Sequence, residues 1–231
     1  MAIHKLVAGQ YSNLTPLYNL ITANKAGTFL EDLTIELSNN SKTLTITNGT
    51  SSLIITVSEN NETFDAIVFN GKYNHFNGNG IQLYAKAYLT GAVLCSNGLM
   101  FSIYGNDGAI DNSFKTRYHV LTTESDGGLA FIVGIPSNYS GEGSGVEYND
   151  NGFTIISENS ITYPTVRTVT LKAAELTSLA PLFPSSGDDN IILPNAYVAV
   201  YTQQSATGFA TVIINGRSYI TNGRWYIKDG V

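Results

Sequence analysis

The amino-acid sequence predicts a mainly β protein, built as an antiparallel β-sandwich or barrel-like sheets with one or two short helices. The first observation is alternation: Leu33, Ile35 and Leu37 occupy every second position between polar residues, as expected of a strand with one buried face. The second is a series of Asn-Gly pairs between such segments, because Asn-Gly favours the tight turns of antiparallel hairpins. The third is a composition that is apolar but poor in charge.

This composition excludes several classes of protein. The chain has 231 residues, of which 43% are hydrophobic and 13% charged, against about 25% charged in a typical soluble domain. Disordered chains combine few apolar residues with a high net charge, so this chain is expected to fold. The net charge of -6 argues against nucleic acid as a partner. No segment reaches the ~20 apolar residues that a membrane-spanning helix needs, so no membrane is expected as a partner either.

A short helix is predicted near the N-terminus. Thr15 is suited to cap it, Pro16 fits the first helical position, and the apolar residues of Leu17–Ile21 follow helical spacing. Gly27 then marks its end.

Strands are predicted along most of the remaining chain. Leu33–Ser38 and Thr43–Thr47 flank the loop Asn39–Ser41, and Asn48-Gly49 leads into Leu53–Val57. Further strand segments are Phe64–Phe69, Ile81–Leu89, Leu99–Tyr104, Tyr118–Thr123, Leu129–Ile135, Phe153–Ser157, Val166–Leu171, Tyr197–Thr202, Phe209–Ile214, Ser218–Thr221 and Trp225–Lys228. Asn-Gly pairs that begin at positions 70, 79, 97, 151, 215 and 222 lie between them.

A second short helix is predicted at Lys172–Phe183, where Pro181 limits its regularity. Its apolar positions align with those of Leu14–Ile21, which leaves two alternatives: a duplicated unit or two unrelated amphipathic helices. The chain is accordingly divided into an N-terminal α+β piece (residues 1–79), a central β module (80–164) and a C-terminal β piece (165–231) that can pack with the first as one domain.

Titratable side chains for catalysis are few. The histidines are His4, His75 and His119, and no two have the spacing of metal ligands. Asp107 and Asp111 are the best candidates for the carboxylate pair of a glycosidase, but both lie in a turn where Asp side chains bind the nearby backbone. Other acidic pairs in similar turns are Glu142 and Glu147, and Asp188 and Asp189. We therefore predict no catalytic residue, no cofactor and no bound metal.

The single cysteine, Cys95, lies in the apolar run Ala92–Cys95 and is expected to pack in the core rather than to react.

The segment Met1–Gly9 lacks the apolar region of a signal peptide. We therefore expect synthesis and folding in a cytosol.

Aromatic residues near the C-terminus are the candidate interface. Trp225 and Tyr226 are adjacent in a predicted strand, so their side chains lie on opposite faces of it. With Arg224 and Tyr219 they form a group of the residue types that are enriched at protein interfaces. A terminal strand of this kind pairs either with its own sheet or with the exposed edge of a neighbouring subunit.

The C-terminal sequence Ile213-Ile214-Asn215-Gly216-Arg217-Ser218-Tyr219, followed by Arg224–Gly230, resembles structural proteins of tailed bacteriophages and prophages. Hairpins of the type Ile-Asn-Gly, Lys or Arg, any residue and Tyr close head or tail accessory proteins in that group. The resemblance implies a virion component, made in the host cytoplasm, that forms homo-oligomers and binds other virion proteins without a cofactor. The alternative is a carbohydrate-binding or adhesin β-sandwich module, for which exposed Tyr and Trp rings would bind a glycan.

Overall fold

The computed structural model describes residues 2–49, 52–70, 80–107, 115–125, 128–134, 153–157, 161–162, 179–181, 195–199, 209–221 and 225–230. These residues form antiparallel sheets and one short helix, α1 (Thr15–Asn24), and the described strands close no barrel. The prediction of a mainly β fold is confirmed. The predicted strand Val166–Leu171 lies outside the described residues.

The larger sheet contains eleven strands. They are β1 (His4–Leu6), β2 (Thr34–Ser38), β3 (Thr43–Thr47), β4 (Ser52–Thr56), β5 (Thr63–Asn70), β6 (Gly80–Cys95), β7 (Gly98–Asp107), β8 (Lys115–Ser125), β9 (Gly128–Gly134), β10 (Phe153–Ser157) and β11 (Ile161–Thr162). From β2 to β11 each strand pairs with the next along the chain, and β1 pairs with β6. The β5–β6 pair thus joins residues on either side of position 80 in one sheet.

The smaller sheet contains five strands in the order β12-β13-β16-β15-β14. They are β12 (Leu179–Pro181), β13 (Ala196–Ala199), β14 (Ala210–Ile214), β15 (Arg217–Thr221) and β16 (Trp225–Lys228). All are drawn from the last part of the chain, so we call this the C-terminal sheet.

Helix α1 confirms the first predicted helix but not its predicted cap. Thr15 is the first helical residue, and Leu14 precedes it without a side-chain capping bond. Instead the Asn13 Oδ1 atom accepts a hydrogen bond from the Thr15 amide. Asn13 therefore satisfies a backbone donor that the helix leaves unpaired. The chain turns away at Gly27, whose φ of 69° suits glycine.

The second predicted helix is not formed where the structure describes it. Leu179–Pro181, within the predicted Lys172–Phe183, is strand β12 and pairs with β13. The aligned segment Leu14–Ile21 is helical from Thr15 onward, so the two segments differ in secondary structure at these positions. Pro181 is tolerated because β12 is an end strand, where a proline removes no ladder hydrogen bond from the interior of a sheet.

The long strand β6 pairs with β7 along one side and with two different strands along its other side. Its first residues pair with β5, and its last residues pair with β1 on the same side. Irregular register interrupts its pairing with β7 between Tyr84 and Tyr88 and again between Leu89 and Gly91. Bulges of this kind bend a strand and increase its twist, which allows β6 to serve two neighbours in succession.

One face of this sheet forms the main core. Leu17 and Ile21 of α1 are fully buried together with apolar residues of β3, β4, β6 and β7. The helix packs against β1, β2 and β6, so it covers this face of the sheet. Alternation in β3 and β4 directs Leu44, Ile46 and Leu53 into this core, as the sequence predicts.

The β6–β7 hairpin is buried on both faces. Leu94 and Leu99 belong to the main core, whereas their neighbours Cys95 and Met100 lie on the opposite face and are also fully buried. A strand that is covered on both sides needs apolar residues in succession rather than in alternation. The continuous run Ala92–Cys95 meets this need.

Phe209, directly before β14, and Ile227 of β16 contact the second face of this hairpin at two glycines. The Phe209 ring lies 3.7 Å from the position that a Cβ atom would take at Gly91. The Ile227 Cδ1 atom would overlap a Cβ atom at Gly98, and the Thr122 carbonyl oxygen would lie 3.2 Å from it. Glycine at position 98 therefore leaves the space that Ile227 fills.

We expect Gly98→Ala to lower the free energy of unfolding by about 1–3 kcal/mol, the usual cost of overpacking, in urea denaturation. The matched control is Gly91→Ala, since a methyl group there meets the Phe209 ring at an ordinary distance. Ile227→Val removes the clashing Cδ1 atom, so the Gly98→Ala/Ile227→Val pair should show favourable coupling. Equal stability of the two alanine variants would contradict the contact between Gly98 and Ile227.

Candidate functional site

The predicted interface residues lie in the C-terminal sheet, in and next to β15 and β16. Tyr219 is buried, and its ring meets the Tyr197 ring edge-on, with centroids 5.9 Å apart at 86°. Tyr226 is half-buried in β16. The backbone of Trp225 pairs with Val198, and Arg224 lies outside the described residues.

The terminal strand β16 pairs with its own sheet rather than with a free edge. It lies between β13 and β15 and forms antiparallel ladders with both. Its backbone groups are therefore used inside the chain. The strand that ends the sheet on this side is β14, which the sequence does not distinguish from the other hairpin strands.

Hydrogen bonds join the end of β16 to the turn between β6 and β7. The Asp229 Oδ1 atom accepts hydrogen bonds from the Ser96 amide (3.2 Å) and the Ser96 hydroxyl (2.9 Å). The Asn97 Nδ2 atom donates to the carbonyl oxygens of Lys228 and Gly230, each at 2.8 Å. The Gly230 amide donates to the Ser96 Oγ atom at 2.6 Å. We call this group of five residues the C-terminal clasp.

The position of the β6–β7 turn makes the clasp possible. The Asn97-Gly98 pair was predicted as the turn, but Gly98 already pairs with Cys95 and Thr123 inside the sheet. The turn consists instead of Ser96 and Asn97, one residue earlier. Both polar side chains thereby project from the turn, and Thr123 fixes it by donating its hydroxyl to the Asn97 carbonyl oxygen at 2.7 Å.

Cys95 lies directly before the clasp and is chemically inert there. It is fully buried, and desolvation raises the pKa of its thiol to about 12, with a smaller contribution from the nearby Asp229 carboxylate. Since the thiolate is the nucleophilic form, Cys95 serves as a small apolar side chain. This agrees with its expected core position.

Within the described part of the chain, the other candidates for chemistry lie on separate strands. His4 lies in β1 and Asp107 ends β7, while His119 belongs to β8. The part of the chain that the structure describes contains no group of three His, Cys, Asp or Glu residues that could hold a metal ion. Candidates outside the described residues are His75, Asp111, Glu142, Glu147, Asp188 and Asp189.

The hairpin β14–β15 contains the Ile-Asn-Gly-Arg motif. Its turn is Asn215-Gly216, with φ angles of 52° and 75°, as the tight hairpin turn predicted from this pair requires. Strand β14 has no second neighbour among the described strands. Its Ile213 side chain is 78% exposed, and Ala210 and Thr211 are exposed as well. We call the side of this strand that faces away from β15 the β14 edge.

Comparison of the chain with known protein families, with curated proteins and with solved structures found no match. Within the described residues, no helix has the length and hydropathy to cross a membrane.

We expect loss of the Asn97 side chain to weaken the attachment of the C-terminal sheet. Asn97→Ala leaves the carbonyl oxygens of Lys228 and Gly230 without these donors, so the free energy of unfolding should fall by about 1–3 kcal/mol. Asn97→Asp should cost more, because it directs a carboxylate at two carbonyl oxygens. The measurement is urea denaturation followed by circular dichroism.

The matched control for this experiment is Asn60→Ala, because the Asn60 side chain donates to the exposed Glu62 carboxylate. Its effect should remain within about 0.5 kcal/mol. If Asn97→Ala and Asn60→Ala had the same small effect, the clasp would not contribute to stability.

Proposed function

We propose that this protein is a non-enzymatic structural component of a bacteriophage particle, which assembles through protein–protein contacts. The observation that supports the proposal is the β14 edge. The motif that resembles phage structural proteins is the hairpin that presents this edge, and the edge has the exposed backbone to which another strand can be added.

The attachment of the hairpin also suits a role in assembly. Ile227 packs against Gly98, and the clasp binds the residues that follow β16 to the larger sheet. These contacts hold the C-terminal sheet by its interior strands and leave β14 at its end. A docking strand in a fixed position loses little conformational freedom on binding, which favours association.

The alternative function, glycan binding on exposed aromatic rings, has less support. Tyr219 is buried against Tyr197, so its ring face is not available to stack on a sugar. Tyr226 is only half-exposed in a strand with neighbours on both sides.

We expect the chain to be a stoichiometric constituent of purified particles. Mass spectrometry of density-gradient bands from cultures that produce it should find the chain at a fixed ratio to the major particle proteins across the band. An abundant host protein of similar mass, measured in the same fractions, serves as the control for carry-over. Particles that lack the chain while the soluble fraction contains it would contradict the proposal.

A further inference from the structure

We propose that the β14 strands of two copies of this chain pair antiparallel about a two-fold axis that passes midway between their Val212 residues, which joins two C-terminal sheets into one continuous sheet. This inference rests on the proposed function, since it names the self-contact through which the chain assembles.

Of the five described strands that have a neighbour on one side only, β14 alone lacks protection against pairing. Strand β1 has three residues, with Lys5 at its centre. Strand β11 has two residues, and β12 has three, including Pro181; short strands and proline both limit edge pairing. Strand β2 packs against α1 and has Glu36 at its centre. Strand β14 has five residues, Ala-Thr-Val-Ile-Ile, without charge or proline.

The alternation of bonded and outward-facing backbone groups along β14 places free amides and carbonyls where this contact needs them. Ile214 and Arg217 flank a two-residue turn and therefore form a hydrogen-bonded pair. Every second residue of β14 then bonds to β15, whereas Thr211 and Ile213 direct their amides and carbonyls outward. Ser218, opposite Ile213, shows the same alternation, because its carbonyl oxygen accepts from the Asp229 amide on the β16 side.

A two-fold axis at Val212 places Thr211 opposite Ile213 of the second copy. The outward amide and carbonyl of Thr211 bond to those of Ile213 in the second copy, and Ile213 bonds to Thr211 of the second copy in the same way. Each outward donor at these positions therefore meets an acceptor. Val212 meets Val212 of the second copy in a non-hydrogen-bonded pair, where side chains approach most closely. Because β14 contains no charged residue, no like charges meet. At β2 the same symmetry would place Glu36 opposite itself, which is destabilising.

The exposure of Ile213 agrees with a second copy of the chain as the partner of β14. By register, Ile213 lies on the same face as Ile220 and Ile227. Those two residues are fully buried, whereas Ile213 is 78% exposed. The apolar face of the C-terminal sheet therefore extends beyond its cover at β14. Pairing with a second copy places the Thr211 side chain of that copy beside Ile213 and continues the same face across the axis.

The first test is the mass of the protein in solution, by size exclusion with light scattering. We expect the wild type to form a dimer or a multiple of it, and both Thr211→Pro and Ile213→Lys to shift to the monomer mass. Proline at 211 removes an outward amide but no bond to β15, so circular dichroism and the thermal midpoint should stay close to those of the wild type. Val7→Lys is the matched control, because Val7 is 77% exposed but lies near β1.

The second test is disulfide cross-linking, which does not depend on the folding of a proline variant. Val212→Cys places two thiols opposite each other with Cα atoms about 4.5 Å apart, within disulfide range, so oxidation should give a covalent dimer. Thr211→Cys is the control, since the two copies of that residue are about 8 Å apart across the axis. The buried Cys95 does not compete.

Two results would overturn the edge contact: a wild type that is monomeric at all concentrations, or variants that keep the wild-type mass while Val212→Cys fails to cross-link. Equal cross-linking of Val212→Cys and Thr211→Cys would overturn the register. None of these results removes the chain from purified particles, so the proposed function is judged separately by the particle measurement.

Discussion

Removal of both faces of the β6–β7 hairpin from water is the constraint on which the elements packed against it depend. Helix α1 lies on one face, in a core that β3 and β4 share, and the C-terminal part of the chain contacts the other face at Gly91 and Gly98. Each fully buried large apolar side chain contributes roughly 1.5–3 kcal/mol. Loss of either layer would therefore expose several such side chains at once, which links the N-terminal and C-terminal parts of the chain through one central hairpin.

The clasp and the β14 edge follow from this arrangement. Ile227 occupies the space above Gly98, and the residues after it reach the turn formed by Ser96 and Asn97. Strand β16 is thereby fixed between β13 and β15, which leaves β14 at the end of the sheet that the described strands form. A strand that lies within the sheet cannot accept a further neighbour, so the docking strand that we propose is β14 rather than β16.

Local signals in the sequence were sufficient for much of the fold. Alternation predicted β2 and β3, and Asn215-Gly216 predicted the β14–β15 turn. The β6–β7 turn lies one residue before the Asn97-Gly98 pair, since Gly98 pairs with Cys95 inside the sheet. The glycine there leaves space for Ile227, a long-range contact that no local pattern reports. The helix predicted over Leu179–Pro181 was wrong there because pairing with β13 outweighs helical spacing. The clasp escaped prediction because its residues are more than 130 positions apart in sequence.

Amide hydrogen exchange along β14, measured by NMR over a range of protein concentrations, tests the edge contact most directly. At low concentration we expect slow exchange at Val212 and Ile214, which bond to β15, and fast exchange at Thr211 and Ile213, whose amides face outward. As the concentration rises, Thr211 and Ile213 should become protected while amides near Val7 do not change. Fast exchange at Thr211 and Ile213 at every concentration would contradict pairing between copies of this strand.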